Sequence, residues 1–171
     1  MRVIKALFKI PFSELIYLVG ECLKRPLYIW PTLAATKNCM LKAQRTYGDK
    51  HHGNGKANAF RHAYWCYLIS NYCYQWSRNT EDVCVWTKKM TDFHERCFIN
   101  DPVETAMDLH NNQIGIELFK QHLNRGESEV IEALMIGRES SGDRVWVWVV
   151  HELIKHTTQV QLALQLHVMR S

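Results

Sequence analysis

Three short stretches of the sequence, near residues 58–65, 92–95 and 108–115, concentrate side chains that can move protons or bind a metal ion. Imidazole and carboxyl groups are the usual general acids and bases, and together they supply the ligands of many zinc sites. Buried carboxylates also require a partner, which an arginine or a metal ion provides. The candidate catalytic residues in these stretches are Arg61, His62, His94, Glu95, Asp108 and Asn112.

Helical spacing indicates which of these side chains can meet, because residues three or four apart share a helix face. In the first stretch Asn58, His62 and Trp65 lie on one line, and in the second Glu95 shares a face with Asp92. The candidate substrate-binding residues are Asn58, Trp65 and Asn111. The candidate ligands of a divalent zinc, magnesium or manganese ion are His62, Asp92, Glu95 and Asp108.

Each stretch taken alone also fits a structural role. Arg61 and His62 could satisfy neighbouring backbone groups in a core. The acidic residues of the second stretch could form a solvated face paired with Lys88, Lys89 or Arg96, an arrangement that contributes little stability. The metalloprotease motif H-E-x-x-H is incomplete, because Phe98 stands where its second histidine would be.

The third stretch breaks local rules for helix formation. Two adjacent asparagines, Asn111 and Asn112, compete for backbone hydrogen bonds in mid-helix, and Gly115 costs about 1 kcal/mol relative to alanine. Such exceptions often mark functional sites, and a glycine would let another helix approach closely. His110 falls on a different face and is expected to be a core or supporting residue.

Apolar periodicity, caps and breakers predict a mostly all-α protein, a bundle of about six helices. Ser13, Pro31, Thr80 and the pair Asp101-Pro102 mark helix starts, and Gly126 marks a helix end. The three stretches fall on consecutive helices joined by short connections, so they can meet in the bundle interior. Residues 144–149 are ambiguous between a short strand, or hairpin, and a helix.

Length and composition favour one domain over residues 1–171, with the motif-bearing core at about 53–126. The net charge is +4 and the basic residues are scattered, so a nucleic-acid partner is not indicated. No apolar stretch reaches the length of a transmembrane span, and the N-terminus lacks the cleavage site of a secretory signal. The six cysteines show no zinc or disulfide spacing, and Cys66 and Cys73 are expected to be reduced core residues.

The motifs N58-A-F-R-H-A-Y-W65, D92-F-H-E95 and M107-D-L-H-N-N-Q-I-G115 resemble, in this order, an uncharacterised bacterial family. Its members often form the C-terminal module of secreted polymorphic toxins and also occur alone. The resemblance covers about residues 53–119. It implies that Arg61, His62, His94, Glu95, Asp108, Asn111 and Asn112 are the functional set. It also implies a cognate immunity protein as partner.

Three functions remain open from the sequence. The first is a toxin-like hydrolase, with or without a metal ion, that cleaves a phosphoester or related bond in a membrane lipid or envelope precursor. The second is a metal-dependent nuclease that uses the loop at residues 50–56, and the third is a non-enzymatic module with a buried polar network. For an effector we expect delivery by a bacterial secretion machine without a classical signal peptide, and otherwise a cytoplasmic protein.

Overall fold

Six α-helices and one short 3₁₀ helix form the described part of the chain in this computed structural model, which describes residues 10–49, 55–98, 101–121, 123 and 127–140. The elements are α1 (Phe12–Lys24), the 3₁₀ helix Pro26–Tyr28, α2 (Ile29–Tyr47), α3 (Lys56–Ser77), α4 (Thr80–Cys97), α5 (Pro102–Gln121) and α6 (Glu127–Ser140). No strand occurs among these residues, which confirms the all-α bundle. The ambiguous segment 144–149 lies outside the described residues.

The chain divides into two compact units, Met1–Ile131 and Glu132–Ser171. The first unit holds α1 to α5 and the first turn of α6, and it contains every candidate site residue. Most of the second unit lies outside the described residues, so a single domain over residues 1–171 stays a prediction.

The central element of the first unit is α3, which packs against α2, α4 and α5. A helix that is apolar on all sides is enclosed by protein, and α3 follows this pattern. Its buried apolar residues are Ala57, Phe60, Ala63, Tyr64, Cys66, Tyr67, Leu68, Ile69 and Cys73. The polar residues Asn58 and His62 are buried among them, so α3 carries one side of the candidate site into the core.

Local capping explains where the helices that carry the site begin. The side chain of Asn79 accepts a hydrogen bond from the Asp82 N–H at 3.0 Å, so this residue caps α4 one position before the predicted start. Asp101 caps α5 as predicted, because its Oδ1 accepts from the Val103 N–H at 2.9 Å. The predicted end of α5 at Gly126 lies outside the described residues.

One predicted helix start differs from the structure, and a second, with Pro31 in the first turn, is confirmed. The first helix, α1, begins at Phe12 after Pro11, and no side-chain cap is made there, so Ser13 is not its cap. The second, α2, begins at Ile29, directly after the 3₁₀ helix. Pro31 lies within its first turn, where a missing backbone N–H costs nothing.

At Gly115 the helix α5 lies in close contact with the backbone of α3. A Cβ atom placed on Gly115 would lie 2.1 Å from the carbonyl oxygen of Ala63 and 2.8 Å from the Cβ atom of Cys66. Neither neighbour is the flexible end of a side chain. Glycine is therefore required at this position, which agrees with the close approach expected from the sequence.

Cys66 and Cys73 lie in the core, as predicted. All six thiols are free, and both Cys66 and Cys73 are fully buried. Burial raises the pKa of the Cys73 thiol to about 12, so this group stays protonated and unreactive at neutral pH. No helix in the described ranges is both long enough and apolar enough to cross a membrane.

We expect Gly115→Ala to lower the free energy of unfolding by about 2 kcal/mol or more. Overpacking costs roughly 1–3 kcal/mol, and the upper end or more applies here because the overlap is with backbone. The better helix propensity of alanine returns about 1 kcal/mol, which leaves about 2 kcal/mol or more. The matched control is Gly20→Ala, also within a helix but with open space around the glycine. That variant should be as stable as wild type or slightly more so. Urea unfolding of both variants measures the difference, and equal stability would contradict the tight crossing.

Candidate active site

Three ionisable side chains from three helices converge in the core of the first unit. His62 lies on α3, Glu95 on α4 and Asp108 on α5, and each side chain is at most 5% exposed. His62 Nδ1 is 3.6 Å from Glu95 Oε1, and His62 Nε2 is 3.4 Å from Asp108 Oδ1. One potential ligand atom from each residue lies within 4.8 Å of the other two, so this group could hold a metal ion.

Asparagine amides connect the three ionisable groups. Asn112 accepts at Oδ1 from His62 Nδ1 at 3.0 Å and donates through Nδ2 to Glu95 Oε1 at 3.2 Å. Asn58 donates through Nδ2 to Asp108 Oδ1 at 2.7 Å. Both links between α3 and α5 join residues fifty positions apart, so these two helices run parallel with a constant register. Asn58 therefore lies beside Asp108, and one turn further along both helices His62 lies beside Asn112.

Arg61 determines the tautomer of His62. Its Nη2 lies 3.1 Å from His62 Nε2 and also donates to Asn58 Oδ1. A guanidinium has donors only, so His62 Nε2 must accept this hydrogen bond. The ring hydrogen of a neutral imidazole then lies on Nδ1 and is donated to Asn112. The hydrogen bonds thus form one directed chain from Arg61 through His62 and Asn112 to Glu95.

Burial moves the pKa values of His62 and Glu95 in opposite directions. Desolvation and, to a smaller extent, the charge of Arg61 lower the pKa of His62 to about 4. Desolvation raises the pKa of Glu95 to about 7, and the hydrogen bond from Asn112 opposes this rise. His62 is therefore neutral at neutral pH, and its short contacts to the two carboxylates are not ion pairs.

A partly exposed layer of rings lies beside the buried group. The ring of His94 contacts Phe98 at 4.8 Å and meets Trp65 edge-on at 5.2 Å between centroids. It is 6.2 Å from the ring of His62, and burial lowers the pKa of His94 to about 4. Trp65 is held by a hydrogen bond from its Nε1 to Thr36 Oγ1 at 2.9 Å. The ring of His94 therefore lies next to that of His62, whose side chain is buried.

Two candidate residues stand apart from this arrangement. Asp92 accepts from Lys88 Nζ at 2.8 Å, is partly exposed, and lies outside the three-residue group that could hold a metal ion. This is the solvated pair considered as the alternative for the second stretch. Asn111 is buried one position before Asn112, and its side chain makes no hydrogen bond within the described residues. Its role as a substrate contact stays a prediction.

One residue of the network was not recognised from the sequence. The thiol of Cys66 donates to Asn112 Oδ1 at 3.3 Å, so this oxygen accepts from both Cys66 and His62. From the sequence, Cys66 is expected only to be a reduced core residue. Its position four residues after His62 on the same helix was the signal that could have placed it in the network.

The family comparison covers this site completely. Residues 19–141 match the family described as Domain of unknown function (DUF6973), and because this match spans most of the chain, the protein belongs to that family. No curated protein and no solved structure matches the chain. The matched residues include the three helices that supply His62, Glu95 and Asp108.

The raised pKa of Glu95 predicts a pH-dependent gain in stability for Glu95→Gln. Between pH 4.5 and about 7, Glu95 is protonated in the folded protein and ionised in the unfolded chain. The free energy of unfolding of wild type therefore falls as the pH rises through that window. Glutamine stays neutral and still accepts from Asn112. The stability of the variant relative to wild type should therefore rise between pH 5 and 8, by about 2–3 kcal/mol.

Chemical denaturation at both pH values, with a chelator present, measures this change. The control is Glu117→Gln, the same substitution on the exposed side of α5, which should show no such trend. If the difference in free energy of unfolding between Glu95→Gln and wild type stays constant across this range, the folded protein does not hold Glu95 in its protonated form there.

Proposed function

We propose that this protein is a hydrolase whose active site is the buried group of His62, Glu95 and Asp108, with Arg61 beside it. The observation that carries the proposal is the convergence of these three buried side chains from three helices. Burial also raises the pKa of Glu95 to about 7 and keeps the neighbouring imidazole neutral. A carboxyl with a pKa near the working pH is suited to general acid–base catalysis. In this role Glu95 accepts a proton from the attacking water and returns it to the leaving oxygen.

The same group supports a divalent metal ion. His62 can offer one ring nitrogen to an ion, and one potential ligand atom from each of His62, Glu95 and Asp108 lies within 4.8 Å of the other two. Neighbouring ligand atoms around a tetrahedral ion lie about 3.3 Å apart, so the three side chains would close slightly around a bound ion. One nitrogen with two oxygens suits zinc, manganese or magnesium. The ion would supply a water of lowered pKa. Coordination through His62 Nε2 requires the Arg61 guanidinium to move off that nitrogen.

Arg61 favours an anionic substrate. Arg61 is partly exposed, its guanidinium contacts His62 and Asn58, and it keeps a positive charge. Arginine recognises phosphate through paired hydrogen bonds, and a phosphoester is cleaved when water attacks phosphorus and the ester oxygen leaves. We therefore propose a phosphoester or related bond as the target, in a membrane lipid or cell-envelope precursor.

The motif resemblance supports the biological setting. Toxin modules of this kind are delivered to competing bacteria, so we propose an antibacterial effector with a cognate immunity protein. The nuclease alternative depends on the loop at residues 50–56, most of which lies outside the described residues, and no observation favours it.

A specific observation favours one competing function, a non-enzymatic interaction module. The amides of Asn58 and Asn112 are paired within the network, as in polar networks that only fix helix register. Under that interpretation His62, Glu95 and Asp108 contribute to stability alone. The two functions therefore differ in what a substitution does to melting temperature and to activity.

Metal binding is the first test. Addition of Mn²⁺, Zn²⁺ or Mg²⁺ should raise the melting temperature of wild type, and Asp108→Asn should abolish the rise, because a ligand that binds only the folded state stabilises it. Asp92→Asn is the control, since this carboxylate is paired with Lys88 outside the group, and it should respond like wild type. A response lost in Asp92→Asn but kept in Asp108→Asn would reject the assigned ligands.

The second test separates catalysis from structure with His62→Ala and Glu95→Gln. Loss of one catalytic group lowers the rate by orders of magnitude, so both variants should lose phosphoester hydrolysis and toxicity on expression. Glu95→Gln should nevertheless melt at or above the wild-type temperature. In a purely structural network, removal of one partner lowers stability by about 3–5 kcal/mol, and function disappears only through unfolding. A folded Glu95→Gln variant with full activity would refute the catalytic role.

A further inference from the structure

The helix α1 faces the rest of the unit with its polar side. Glu21 is buried and accepts from Lys89 Nζ of α4 at 2.7 Å, and Glu14 pairs with Arg96 of the same helix at 3.0 Å. The guanidinium of Arg96 also lies 4.9 Å from the ring centre of Tyr17. The ion pairs to Lys24 and Lys89 lower the pKa of Glu21 to about 2, so this attachment stays charged at neutral pH. These contacts fix the rotation of α1.

The opposite side of α1 is apolar and exposed. Phe12, Ile16, Val19 and Leu23 recur at helical spacing on one face, which we call the outer face of α1. Phe12 and Leu23 are 76% and 77% exposed, and Trp30 at the start of α2 is 74% exposed. An amphipathic helix normally buries such a face, and contiguous exposed apolar surface marks an interaction site.

The charges of the adjoining chain indicate what the outer face binds. Residues 22–48 contain five basic residues and no acidic residue. Within the described residues, Lys37, Lys42 and Arg45 of α2 have no carboxylate partner, and Lys24 stays 65% exposed despite its pair with Glu21. Residues 1–13 add further positive charge and again no acidic residue. Apolar side chains with exposed tryptophan and flanking lysines are typical of helices that lie in a membrane interface.

We propose that the outer face of α1, together with Trp30, binds the surface of an anionic lipid bilayer. In this arrangement the apolar side chains enter the boundary between headgroups and acyl chains, and the basic residues contact anionic headgroups. A second copy of the chain fits less well, because a symmetric contact would bring the two basic segments together. The proposed lipid contact does not depend on hydrolase activity, and it uses the outer face of α1 rather than the buried group of His62, Glu95 and Asp108.

Flotation of the full chain with vesicles tests this proposal. Wild type should bind phosphatidylcholine vesicles that contain roughly a third phosphatidylglycerol, and bind pure phosphatidylcholine much less. Raising sodium chloride from about 0.1 to about 0.5 M should weaken binding by screening. Val19→Ser combined with Leu23→Ser should weaken binding roughly tenfold or more, because two apolar side chains no longer enter the interface.

The matched control is Val103→Ser combined with Leu109→Ser, the same pair of changes at exposed apolar positions of α5. This variant, and Glu95→Gln, should bind vesicles like wild type. Brominated lipids should quench the fluorescence of wild type more than that of Trp30→Phe. The proposal is overturned if wild type does not bind anionic vesicles, or if the Val19 and Leu23 variant binds equally well. A dimer that this variant dissociates, without vesicle binding, would instead assign the face to self-association.

Discussion

The contact of α5 with α3 at Gly115 is the constraint on which the candidate site depends. Asparagine and aspartate side chains are short, so Asn58 reaches Asp108, and His62 reaches Asn112, only where the two backbones approach closely. Gly115 allows that approach, because any Cβ there would overlap the backbone of Ala63. Parallel register then repeats the contact one turn along each helix. The short distance between the α3 and α5 backbones thus requires the glycine, and it lets the short amide side chains near it reach their partners.

The positions of the helices and of the three stretches could be predicted because both follow from local rules. Caps, prolines and the 3.6-residue period depend on near neighbours in sequence, and short connections bring consecutive helices together. The burial of each side chain does not follow from local rules. It depends on how the helix is rotated about its axis, which all of its contacts determine together. Asp92 and Glu95 share a face by spacing, yet Glu95 is buried and Asp92 pairs with Lys88 at the surface. Spacing alone could not separate them.

The first helix illustrates the same limit more strongly. An apolar stripe on a helix normally packs against the protein core, and α1 does pack against α4. The apolar face, however, points outward, because Glu21 and Glu14 find specific cationic partners on α4. Partners that lie 68 and 82 positions away along the chain leave no trace in a local pattern. The charge partners rather than the apolar stripe determine which side of α1 faces the core.

The charge balance of the buried group bears on whether it serves stability or chemistry. With His62 neutral, Arg61 is the cation among the residues of this network, and it faces the carboxyl groups of Glu95 and Asp108. Desolvation by burial raises the pKa of Glu95 to about 7, and the nearby charge of Asp108 makes a smaller contribution in the same direction. A polar group selected for stability alone could be replaced by apolar residues with little loss or even a gain. A carboxyl with a pKa near neutrality lowers the stability of such a core as it ionises, and the proposed general acid–base role would use a group in that state.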